Sequence, residues 1–164
     1  MPVIDVQKDL DNRRLIMTAQ FAAPVERIWQ LYADPRQLEK VWGPPTHPAT
    51  FVDHDLTPGG RMTYYMTAPD GQKYCGFWDV KEVDEPRSFT FEDGFANEDF
   101  TPDTSLPVGI NTYSFSRHDD GTRAVYEAVY PSVEALQQVL DMGMVEGATG
   151  AINQIDAFLA ADSQ

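Results

Sequence analysis

The sequence predicts an α+β fold, a curved antiparallel sheet wrapped around a long C-terminal helix, with two short helices after the first strand. Three observations carry this. From Val133 to Leu159 there is no proline, and Val133, Leu136, Leu140, Met144, Gly147, Ala151, Ile155 and Phe158 share one stripe at the helical period. Upstream, short segments alternate apolar and polar residues at the two-residue period of half-buried strands, with Pro and Gly turn signals between them. After the first such segment come two brief helical patterns with a proline at or near the start.

In order, residues 1–12 carry little signal and are assigned as an N-terminal extension; residues 13–164 form one domain. Arg13 to Phe21 reads as a strand with Leu15, Met17, Ala19 and Phe21 on one face. Pro24 opens a helix that buries Val25, Ile28, Trp29 and Tyr32, and Asp34 caps a second with Pro35 at its start. Gly43-Pro44-Pro45 stops it. Six strands in hairpins follow: Thr50 to Leu56, Arg61 to Thr67, one holding Tyr74, Gly76, Trp78 and Val80, Arg87 to Glu92, Asn111 to Ser116, and one holding Ala124, Tyr126, Ala128 and Tyr130. Between the fourth and fifth of these lies a long acidic segment, Asp93 to Gly109, expected to be a mobile loop and a candidate lid. Ser132 caps the final helix, expected to be a rod of roughly 40 Å at 1.5 Å per residue. Its stripe is bulky at both ends and small in the middle, at Gly143, Gly147, Ala148 and Ala151. That pattern predicts a space between helix and sheet.

Composition narrows the function. A net charge of −14 argues against nucleic acid and anionic membrane surfaces, which need clustered Lys and Arg. One cysteine, Cys75, excludes an intramolecular disulfide. No segment has the length of a membrane span, and Met1 to Arg14 has no apolar signal core, so a cytoplasmic location is expected. His54 lies between Asp53 and Asp55 on a strand and faces away from both, so no metal site is expected. No nucleophile elbow, Walker loop or dinucleotide fingerprint occurs, and no cofactor is expected. His47, after Trp42-Gly43-Pro44-Pro45, is the best acid–base candidate, placed at a cavity mouth.

Several local sequences carry a resemblance: Phe21-Ala22-Ala23-Pro24-Val25-Glu26-Arg27-Ile28-Trp29; Asp34-Pro35 followed by Trp42-Gly43-Pro44; Asp55-Leu56-Thr57-Pro58-Gly59-Gly60-Arg61; Asp70-Gly71 and Gly76; and Met142-Gly143-Met144-Val145-Glu146-Gly147. In this order they resemble the AHSA-type family, named for the activator of heat-shock protein 90 ATPase, within the START-like (SRPBCC) superfamily of helix-grip folds. The resemblance runs from about Arg13 to Leu159. It implies an apolar cavity between sheet and long helix but no single chemistry, since such families hold ligand binders, a co-chaperone domain and, on the same fold, cyclases. The eukaryotic co-chaperone has an additional N-terminal domain, whereas about a dozen residues precede the first matched strand here, so direct stimulation of that ATPase is not expected.

The expected function is therefore non-enzymatic binding of a small, largely apolar molecule, lipid-like or an aromatic natural product. The expected contacts are Trp42, Tyr64, Met66, Trp78, Phe91, Tyr126, Met144, Gly147, Ala148 and Ala151. Alternatives are a cyclase- or hydrolase-like enzyme in the same cavity and a protein-interaction module. A polar cluster deep in the cavity would favour the enzyme, and an exposed apolar patch on the sheet's outer face the interaction module.

Overall fold

The computed structural model describes residues 2–162. Eight antiparallel strands form one sheet: β1 (Val3–Asp9), β2 (Arg14–Phe21), β3 (Ala49–Asp53), β4 (Arg61–Thr67), β5 (Lys73–Asp84), β6 (Ser88–Ala96), β7 (Gly109–His118) and β8 (Gly121–Val129). Their spatial order is β1-β2-β8-β7-β6-β5-β4-β3, so β3 to β8 run as a meander and β2 joins the far side of β8. Alternation chooses the concave face: Leu15, Met17, Ala19 and Phe21 of β2 are all buried, as are Trp78 and Val80 of β5 and Phe89 and Phe91 of β6. Bulges between Val3 and Asp5, Phe51 and Asp53, and Val80 and Glu82 bend the sheet. Residues 3–9, which carry little sequence signal, form the edge strand β1.

Helices α1 (Val25–Ala33) and α2 (Pro35–Leu38) follow β2. Asp34 caps α2 by accepting the Arg36 backbone N–H at 2.9 Å. Helix α1 buries Ile28, Trp29, Leu31 and Tyr32 against the aromatic floor of the sheet, with Trp29 edge-on to Phe89 at 5.7 Å.

The C-terminal helix grips the sheet as expected of this fold, but it is not one rod. It is divided into α3 (Val133–Asp141), α4 (Met144–Ile152) and α5 (Ile155–Asp162). The first break is at Gly143, whose φ of +85° is left-handed and ends the ladder. The second is a turn at residues 153–154 that frees two side chains to tie the helix down: Asn153 Oδ1 accepts from Val3 N at 3.0 Å, and Gln154 Nε2 donates to Gly43 O at 2.8 Å. A stripe at 3.6-residue spacing continues through such breaks in sequence, which is why periodicity alone reads one helix. The core forms two clusters. The larger holds Trp78, Phe89, Phe91, Ile152 and Ile155; the smaller holds Leu15, Ala128, Tyr130, Leu136 and Val139.

Candidate functional site

Residues of both clusters face a shared cavity of about 300 Å³ between the concave face and α3–α5. Sheet residues Leu15, Met17, Tyr64, Met66 and Ala128 form one wall, and Val139, Met144, Gly147, Ala148, Ala151 and Ile152 form the other. Gly147 shows why the helix leaves room: a Cβ there would meet nothing within 4 Å.

The predicted contacts divide. Trp42, Tyr64, Met66, Tyr126, Met144, Gly147, Ala148 and Ala151 come together around the cavity. Trp78 and Phe91 do not line it. Both are fully buried beneath the wall, stacked at 3.9 Å, and Trp42 lies edge-on over Trp78 at 4.8 Å. Strand parity puts Trp78 and Phe91 on the same side of the sheet as Tyr64, Met66 and Tyr126 but does not tell which layer touches open space. His47 is not brought to the cavity either; its Nδ1 is 2.8 Å from the Thr46 hydroxyl in the loop after α2. His54 Nε2 lies 2.9 Å from Tyr32 O, a local tie. Among the described residues no group of three or more His, Cys, Asp or Glu is placed to hold a metal ion.

The chemistry of the cavity centres on Asp93. The acid-rich sequence predicts loop from Asp93 onward, yet β6 continues to Ala96 and Asp93 pairs with Trp78 and Gly109 inside the sheet. Among the described residues Asp93 is the one charged residue on the cavity wall. Burial raises its carboxyl from the ordinary 3.8 to about 7, against the lowering effect of a hydrogen bond from Tyr64. That bond, from Tyr64 Oη to Asp93 Oδ1, is long at 3.4 Å.

Two glycines build this setting. Gly76 pairs with Tyr64 across β4 and β5, and a Cβ there would overlap the Tyr64 ring and hydroxyl. Without it the ring lies flat over β5 and reaches Asp93 on β6. On the other side Gly109 pairs with Asp93, and a Cβ there would come within 2.9 Å of the Tyr130 ring. Tyr130 therefore lies over β7 and feels the Asp93 charge, which helps burial to hold its phenol protonated. Tyr113 is affected in the same way, with burial the leading cause. The Tyr32 and Tyr126 hydroxyls bond each other at 2.9 Å. Asn111 Nδ2 donates to Gly109 O at 3.3 Å.

This arrangement is an apolar cavity with one ionisable acid among five phenols. Asp93, Asn111 and Tyr130 are absent from the contacts expected from sequence. For Asp93 a signal existed. Phe89, Phe91, Asp93 and Phe95 alternate, which puts a carboxylate in an inward register. The acid-rich run around it hid the pattern.

Residues 22–160 match the family described as Activator of Hsp90 ATPase homolog 1-like protein. The chain belongs to this family. Among solved structures, the chain is similar to protein Ms6760 from Mycobacterium smegmatis, with 69% identity over 96% of this chain and 97% of that one and a TM-score of 0.90. It is also similar to a protein from Arthrobacter aurescens, with 42% identity over 97% of this chain and 92% of that one and a TM-score of 0.93. CalU16 from Micromonospora echinospora, at 19% identity over 92% of this chain and 78% of that one, has a TM-score of 0.58 and shares the fold alone. A comparison with curated proteins finds no match. Family membership and the eight-stranded helix-grip architecture thus agree, and no helix of the described residues is long and apolar enough to cross a membrane.

Proposed function

We propose that the chain binds a small, largely apolar molecule in this cavity and carries out no reaction on it. The observation behind the reading is the 300 Å³ space itself, enclosed mainly by aliphatic, methionine and aromatic side chains. Its volume lies at the lower end of the range for small-molecule sites. The proposed contacts are the cavity-facing Trp42, Tyr64, Met66, Tyr126, Met144, Gly147, Ala148 and Ala151, with Asp93 as the polar point that fixes orientation. A cytoplasmic location fits a chain with one cysteine, half-exposed and unpaired.

The test uses N-phenyl-1-naphthylamine, a neutral dye that brightens in apolar surroundings. Binding should quench tryptophan emission, and Trp42→Phe should remove most of that quenching while Trp78→Phe leaves most of it. Ala151→Leu should reduce dye binding at unchanged or raised stability, since its added carbons enter open space. In a filled core the same change overpacks and costs about 1–3 kcal/mol. Loss of stability without any dye binding to lose would overturn the reading.

One observation favours a second reading. A carboxyl that titrates near neutrality beside a tyrosine is equipped for general acid–base chemistry, so a cyclase- or hydrolase-like enzyme would use Asp93 and Tyr64. Ligand recovered chemically unchanged after prolonged incubation separates binding from turnover.

A further inference from the structure

Resting on the ligand-binding reading, we infer that the cavity selects a molecule with a ring or other apolar body and one basic nitrogen, whose ammonium group pairs with Asp93 beside Tyr64, Tyr113 and Tyr130. Asp93 is short of partners. A carboxylate has about four acceptor positions on its two oxygens. Here its one hydrogen-bonding neighbour among the described residues is Tyr64, at 3.4 Å. No Lys, Arg or His lines the cavity, and Asp93 takes part in no ion pair among the described residues. Asp93 is half-buried, its carboxylate facing a largely apolar cavity with no cation beside it, which is costly.

The surrounding groups define what would complete it. From β4 comes the Tyr64 hydroxyl, from β7 Tyr113, and from just past β8 Tyr130, whose hydroxyl has the Met144 sulfur at 4.0 Å as its one partner among the described residues. From the helical side the wall is apolar, Met144, Gly147 and Ala148. Burial holds all three phenols protonated, so Asp93 is the sole group in this cluster that carries charge near neutrality. An anionic ligand would meet that charge with no counter-ion. A neutral one leaves its burial cost in place. An ammonium group brings three donors and the missing charge, phenol oxygens can accept from it, and tyrosine ring faces attract cations. The chain's net charge of −14 also favours approach of a cation. The glycines at 76 and 109 shape the setting: a Cβ at either position would crowd the ring of Tyr64 or Tyr130, the two phenols that lie over the strands on each side of Asp93.

The experiment uses three probes with one ring system: naphthylmethylamine, naphthylmethanol and naphthoate. Calorimetry at about pH 7.5 should show the amine binding about tenfold or more tighter than the alcohol, as a charge-assisted hydrogen bond implies, and naphthoate weakest. Asp93→Asn should bring amine and alcohol to near parity, while Tyr64→Phe keeps the amine preference. A wild-type readout guards against a variant that does not fold. At about pH 7 amine binding should release a fraction of a proton from Asp93, seen as a heat that changes between buffers of different ionisation enthalpy; alcohol binding should release none. Equal binding of amine and alcohol by the wild-type protein, or an amine preference that survives Asp93→Asn, overturns the inference while leaving the cavity reading intact. Absence of binding by all three probes overturns both.

Discussion

Asp93 faces the cavity and its carboxyl is harder to ionise in the folded chain than in the unfolded one. In the unfolded chain its carboxyl ionises near the ordinary 3.8, whereas in the folded protein burial moves it to about 7. Between these values the folded state keeps a proton that the unfolded state has lost, so stability falls as pH rises through that window. Asp93→Asn removes this dependence. The variant should melt with the wild type at about pH 4 and above it at about pH 8, by up to about 4 kcal/mol and by less where cavity water solvates the charge. An equal gain at both pH values would show that ionisation of Asp93 is not the cause. Gly76 works in the opposite sense. Gly76→Ala drives a methyl into the buried Tyr64 ring, and the overpacking should cost about 1–3 kcal/mol in chemical denaturation. An unchanged denaturation midpoint would mean that the ring yields freely and that Gly76 does not position it.

Helix α4 carries a prediction of paired sign. Gly143 and Gly147 stand one turn apart and look alike in sequence. Gly143 has φ +85°, so Gly143→Ala is strained and should destabilise by about 1–2 kcal/mol. Gly147 is helical and a Cβ there touches nothing, so Gly147→Ala should stabilise by up to about 1 kcal/mol through helix propensity. Thermal melts of the two single variants check this directly. Changes of the same sign would mean that the helix is not broken at Gly143. Of the three short segments, the middle one brings the small residues Gly147, Ala148 and Ala151 to the cavity.

At the scale of the molecule, stability should be uneven. Strands β7 and β8 lie mid-sheet, with neighbours on both sides. The acidic loop at residues 97–108 is held in its first half by short local bonds, such as Thr101 Oγ1 to Asp99 at 2.6 Å and Asn97 N to Thr101 O at 2.8 Å, all at exposed positions. Its second half is anchored: Pro107 reaches the cavity, and Val108 sits against Gly94. Hydrogen exchange should therefore be fastest among internal segments at residues 98–105 and slow again by Gly109. Protection at 98–105 equal to that of β8 would contradict this, and with it any role of the loop as a lid.

Much of this was legible in the sequence because it depends on local periodicity. The inward faces of β2, β4 and β5, the Asp34 and Ser132 caps, and the small middle of the C-terminal stripe follow from residue type and spacing, and they suffice for the fold class. Eight of the ten expected contacts reach the cavity for the same reason. Parity could not place Trp78 and Phe91, since the layer that meets open space depends on which rings stack upon which. Nor could it find β1, whose pairing with β2 is decided across the sheet, or the breaks at Gly143 and at residues 153–154, which periodicity reads straight through. Asp93 shows the difference most clearly. Its inward register stands in the alternation Phe89, Phe91, Asp93, Phe95, but its chemistry does not. The carboxyl is raised above its ordinary range only when separate segments converge on it, and that convergence, which sets its dielectric surroundings, is a property of tertiary structure alone.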